Sequence, residues 1–179
     1  RLRGGSQKIA QAVAPVRSMF TYRSATIERM FAATDTGIYN VFAGMVPAMT
    51  GRTSGVYSPV HFTTPGANYF VAVNGTDAPL LYAGSTWQAV TPTSTPALTG
   101  PTGFDGTKLS YVWSYRNRLW FAQRGTLDAY YLTVDSLGGT AKRLSLGSVF
   151  QRGGAILFGA TISTDSGDGI DDRIVFVST

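Results

Sequence analysis

The chain has no cysteine, which removes a disulfide framework, a thiolate zinc site and a cysteine nucleophile at once. Histidine occurs once, at His61, so a metal site built on several imidazoles is excluded, and a Ser-His-Asp triad would have to run through that residue. Glutamate also occurs once, at Glu28, which weighs slightly against paired carboxylates for glycoside cleavage, where a Glu is usual, although an aspartate pair remains open. No long apolar run is present. The longest, Ala155 to Ile162, is far short of the roughly 20 residues that a membrane helix needs. A Walker-type phosphate loop and a dinucleotide fingerprint are missing too: the pair Gly138-Gly139 has neither the lysine nor the strand-to-helix context they require. The opening residues, RLRGGSQKIA, show neither an initiator methionine nor the apolar core of a signal peptide, and read as cut from a longer polypeptide.

What is present is a chain of 179 residues, 44 % hydrophobic, enough for the core of one ordinary domain. Only 14 % of residues are charged, while Gly, Thr, Ser and aromatics abound, a composition that suits short strands and tight turns. The expected class is all-β. A helical turn or two over SQKIAQAV would be ended by Pro15.

Four segments share one pattern: MFAAT from Met30, YFVAVN from Tyr69, LWFAQR from Leu119 and IVFVST from Ile174. Each is a run of aromatic and aliphatic residues of the kind that forms a buried strand. The first three are followed by a polar turn and a second apolar strand with tyrosine, GIYNV, PLLYAG and AYYL. Matching phenylalanines, Phe31, Phe70, Phe121 and Phe176, recur at irregular intervals near the roughly 40 to 50 residues of a β-propeller blade. The turns agree: Gly37 closes TDTG, Asn117 sits inside RNR and Gly125 inside QRGT, residues suited to positive φ. The organisation expected is a basic extended segment or linker over 1–24 and propeller-type blades over 25–179, an incomplete part of a larger protein. The Pro/Thr-rich stretch 91–103 serves as a connector between blades.

Charge is uneven. Residues 1–30 hold Arg1, Arg3, Lys8, Arg17, Arg23 and Arg29 against Glu28, while the other 149 residues carry nine basic and nine acidic side chains. Two readings are open for this arm: non-specific attraction to nucleic acid phosphates, or a solvated segment that pairs with an acidic neighbour. In STDSGDGIDDR, Asp165, Asp168, Asp171 and Asp172 share one loop, a clustering that hard cations such as calcium favour. The spacing is not that of an EF-hand, and a solvated loop with an Asx turn accounts for the same residues. Asn74-Gly75-Thr76 matches a glycosylation pattern but, between two apolar runs, reads as a turn. GSTW at Gly84 to Trp87 is similar to the tail of the sialidase Asp-box, but Leu80 and Tyr82 occupy its Ser and Asp positions. Trp87 therefore reads as blade packing.

The phrases LRGG (2–5), MFAATDTGIYNV (30–41), NYFVAVNGTDAPLLYAGSTW (68–87), RNRLWFAQRGTLDAYYL (116–132), GSVFQRGG (147–154) and DSGDGIDDRIVFVST (165–179) together resemble a family of tailed-phage structural proteins, the tail hub or nozzle components of short-tailed phages. The resemblance covers nearly the whole chain. It implies a virion protein with propeller-type domains, assembled as a homo-oligomeric ring, commonly a hexamer, around the channel through which the genome leaves. It further implies retention of packaged DNA, contacts with a portal-side adaptor ring and tail fibres, and neither catalytic residues nor a cofactor. The six basic residues of the arm then line the DNA channel or contact a neighbouring ring. Two other readings stand beside it: a carbohydrate-binding or sialidase-like propeller, marked by an exposed Trp87, Trp113 or Trp120 beside aspartates, and a cellular protein-interaction propeller.

Overall fold

A computed structural model describes residues 8–165 and 170–179, the side chains of 164, 165, 170 and 171 excepted. The described residues contain strands and one 3-10 turn, Gly106–Lys108, and no α-helix. They divide into two units, Arg1–Val56 and Tyr57–Thr179.

The first unit is one antiparallel meander of four strands in sequence order, β1 Ser18–Arg23, β2 Glu28–Thr34, β3 Gly37–Asn40 and β4 Val46–Thr50. Alternation along β1 and its register with β2 place Phe20, Tyr22, Phe31, Ala33 and Ile38 on one face, all buried. The opposite face carries Met30, Ala32 and Tyr39 and packs with Val41 and Met45 against Ala10 and Ala12 of the preceding strap. Residues 8–17 form that strap as irregular chain, not helix. Gly37 is needed here for space and not for φ: a Cβ would collide with the carbonyl of Met49 on β4.

The second unit begins with an equivalent meander, β5 Ser58–Thr63, β6 Asn68–Val73, β7 Leu80–Tyr82 and β8 Trp87–Ala89. The connector follows, with β9 Leu98–Thr99. A third four-stranded sheet is built from β10 Leu109–Tyr115, β11 Arg118–Gln123, β12 Asp128–Tyr131 and β14 Lys142–Ser145, while the short β13 Gly139–Thr140 pairs in parallel with β9 and pins the connector. Last comes a two-stranded hairpin, β15 Ile156–Asp165 with β16 Ile170–Ser178. The second strand of each four-stranded sheet is buried on both sides, which is why MFAAT, FVAV and LWFAQ lack any polar alternation.

Two apolar clusters lie between the sheets of this unit. Phe62, Val71, Val73 and Leu81 of the second sheet join Val112, Leu119, Phe121 and Tyr130 of the third. On the third sheet's other face, Trp113, Trp120 and Ala122 pack with Ile174 and Phe176 of the hairpin. Each fully buried large side chain contributes about 1.5–3 kcal/mol. One tie recurs between the turn after a sheet's second strand and the segment leading onward. Asp35 Oδ1 accepts from Gly55 N (3.0 Å), Gly75 N donates to Leu109 O (2.8 Å), and Ile156 N donates to Thr126 O (2.8 Å).

Candidate functional site

Four of the six basic residues of the N-terminal arm are described; Arg1 and Arg3 lie outside the described residues. Lys8 is exposed on the strap. Arg17 Nε donates to Asp35 Oδ2 at 3.0 Å, with both side chains half exposed. The same carboxylate accepts from Gly55 N, and these contacts, the amide first, hold Asp35 below its ordinary pKa. Arg17 thus helps to fasten the segment leaving the sheet. Arg29 Nη1 donates to the Glu28 carbonyl at 3.0 Å, and Arg23 stands opposite Glu28 in the β1–β2 register. Alternation puts Arg23 on the face of Met19 and Thr21, and Arg29 on the face of Phe31. The arm is therefore not gathered into one cationic stripe: Lys8 and Arg23 share the side of sheet one that the strap crosses.

In the second unit a polar cleft of about 450 Å³ opens where the ends of β5, β10 and the hairpin meet. His61, Ser114, Tyr115, Arg116, Thr161 and Asp172 line it. The turn Arg116-Asn117 reaches it with both residues in the left-handed region, φ 47° and 54°, as the two-residue hairpin between β10 and β11 demands. Asn tolerates that conformation; Arg116 adopts it with its guanidinium over the Tyr115 ring at 5.2 Å. Tyr115 Oη donates to the Asp172 carbonyl (2.7 Å), Thr161 Oγ1 donates to the Ser114 carbonyl (3.0 Å), and the Asp172 carboxylate accepts from Ser163. The His61 ring stands edge-on to Phe70, centroids 4.9 Å apart. Serine, histidine and aspartate are thus neighbours here, yet the aspartate's recorded partner is a hydroxyl of its own hairpin. What the cleft offers is a set of hydrogen-bonding groups of both signs.

A second, apolar cleft of about 480 Å³ is lined by Ala78, Val90, Leu98, Phe104, Asp105 and Thr107. Asp105 caps the 3-10 turn, and hydrogen bonds from Thr107 hold its carboxyl below the ordinary value, helped by Lys108 at 3.3 Å. Beneath, Gln123 is 4 % exposed; its Oε1 accepts from Asp105 N (2.8 Å) and its Nε2 donates to Gly103 O (3.0 Å).

Of the aspartate loop, Asp165, Asp168 and Asp171 lie outside the residues whose side chains are described, and Asp172 bonds Ser163. Among the described residues no three His, Asp or Glu side chains are grouped to hold a metal ion, and no helix is long and apolar enough to cross a membrane. Asn74 is spent on its turn: Oδ1 accepts from Thr76 N (3.1 Å) and Asp77 N (2.8 Å), and Gly75 takes φ 72°. Trp87 packs on Phe70 and Tyr82, and all three tryptophans are buried, so none is the exposed platform that a sugar site would use. Comparison with protein-family models, with curated proteins and with solved structures gave no match.

Proposed function

We propose that this chain is a non-enzymatic structural component of a phage tail, part of a hub or nozzle ring that forms the conduit for DNA ejection and helps to retain packaged DNA. In this reading the four-stranded sheets are propeller blades and the virion is the protein's place. One observation carries it: the phrases that resemble tail hub and nozzle proteins fall on a repeating unit, a four-stranded meander in sequence order formed three times, with β10 beside both β5 and β15. First strands side by side are what radial blades require. A thin basic surface also suits a conduit, because tight phosphate contacts would hold back DNA that must slide.

The test is negative-stain imaging of the purified full-length polypeptide with its mass in solution, alongside mass spectrometry of purified virions. A closed ring with a central hole, and the chain among virion components, is expected. A monomer at all concentrations that is missing from virions would overturn the reading. The polar cleft around His61 and Asp172 favours one second reading, a hydroxylated ligand such as a host-surface glycan. Retention on a glycan array that is lost on Asn117→Ala, in a protein that forms no ring, would select it.

A further inference from the structure

Between β4 and the second unit run residues 51–56, Gly-Arg-Thr-Ser-Gly-Val, which belong to no strand. Gly55 is the buried residue of this stretch and Val56 is 63 % exposed, so no large apolar side chain anchors it by burial. Hydrogen bonds hold it, and Gly55 is gripped from both sides. Its N–H donates to Asp35 Oδ1 (3.0 Å), and its carbonyl accepts from Ser18 Oγ (2.6 Å). Arg17 Nε steadies the same carboxylate through its other oxygen, at 3.0 Å. Nearer β4, Arg52 N donates to Thr36 O at 3.3 Å.

The seat is also narrow. A Cβ on Gly55 would stand 2.6 Å and 2.7 Å from the carbonyl carbon and oxygen of Thr34, backbone atoms that cannot step aside without moving β2. The corresponding ties in the second unit, Gly75 N to Leu109 O and Ile156 N to Thr126 O, run from backbone to backbone. Of the three, the tie at Gly55 alone uses a side chain, and that side chain is half exposed. Segments with few buried apolar contacts and solvent-exposed bonds are the ones that open locally while the rest of a domain stays folded.

We infer that residues 51–56 form a releasable latch: Asp35 and Ser18 seat Gly55 against β2, and when they let go the segment lifts off as one piece while sheet one stays folded. With the latch closed, free chain between the two units starts at Val56. With it open, free chain starts after Thr50 and gains five residues, about 17 Å at full extension. The device is an extensible tether, and it works whether or not the chain is part of a ring.

Trypsin cleavage of the full chain, with the cut located by mass spectrometry, and amide exchange test it together. Gly55→Ala should raise cleavage after Arg52 about tenfold or more, because the added methyl group forces the segment off Thr34 and cleavage follows the open population. The amides of Phe31 to Ala33 in β2 should keep their wild-type exchange. Asp35→Ala and Ser18→Ala add no atoms, and each should speed exchange at the Arg52 amide about fivefold or more, although neither removes that amide's own acceptor, Thr36 O. Wild-type exchange at Arg52 in these two variants overturns the inference. So does loss of β2 protection in step with Arg52, which would mean that the segment opens only with the sheet. Should Gly55→Ala lose the sheet altogether, Asp35→Ala and Ser18→Ala decide alone.

Discussion

Trp120 offers the sharpest test of the packing between the third sheet and the hairpin. It is 8 % exposed, stacked on Tyr131 at 4.5 Å and on Trp113 at 6.0 Å, and Phe176 meets it edge-on at 6.4 Å. Truncation of such a residue to alanine costs about 3–5 kcal/mol. Trp120→Ala should therefore cost at least about 3 kcal/mol. Trp120→Phe keeps a ring in the stack and removes the donor, and should cost about 1 kcal/mol or less. Urea unfolding followed by fluorescence reads this directly, because Trp87, Trp113 and Trp120 all lie in Tyr57–Thr179. With a slope of about 2 kcal/mol per molar, the alanine midpoint should fall by about 1.5 M. A fall under about 0.3 M, or a phenylalanine variant as damaged as the alanine one, would refute the reasoning.

Three further expectations follow from single contacts. Gly159→Ala should cost about 1–3 kcal/mol in the same assay, because a Cβ there would stand 2.7 Å from two carbons of the Trp113 indole, neither of which is a yielding chain end; unchanged stability would place the hairpin elsewhere. Gln123→Leu strips partners from Asp105 N and Gly103 O and should cost about 2 kcal/mol or more, with faster amide exchange at Asp105; an unchanged exchange rate would contradict it. Asp35 has a folded-state pKa lowered from its ordinary 3.8, so its contribution is present above that value and lost as pH falls through the lowered one. Circular dichroism melts of Asp35→Asn should accordingly show a weaker acid dependence below pH 4 than the wild type, and equal acid slopes would exclude the role given to its bonds with Gly55 and Arg17.

The sequence made the inner strands visible and hid the outer ones. Second and third strands, such as FVAV with LLY and LWFA with AYY, are buried on both sides and stand out as apolar runs. First strands such as SMFTYR and SPVHFT alternate, with only Phe20, Tyr22 and Phe62 fully buried, and the alternation itself was the signal that could have found them. Fourth strands are short or polar, VPAMT with its proline and KRLS with its two cations, the devices by which an edge refuses further pairing. Arg116-Asn117 was legible as a turn because two positive φ angles leave few residue choices. The polar cleft was not legible: His61, Ser114 and Asp172 come from three separate sheets, and no spacing along the chain announces their meeting. Nor did the basic arm declare that Arg17 would be drawn to Asp35, eighteen residues on and beyond a hairpin.

The recurring tie between a turn and the segment leading onward gives the chain an order of assembly. The first two four-stranded sheets are contiguous in sequence and close through short loops, at small entropic cost; the third is interrupted only by β13, which turns back to the connector. The turn at Gly75 then waits for Leu109, and Thr126 waits for Ile156. On a ribosome these bonds become available one after another as the polypeptide emerges, and each completed sheet is the template on which the next is laid. The hairpin is made after the sheet it covers, so the face of Trp113 and Trp120 that Ile174 and Phe176 occupy is covered only once the hairpin has followed.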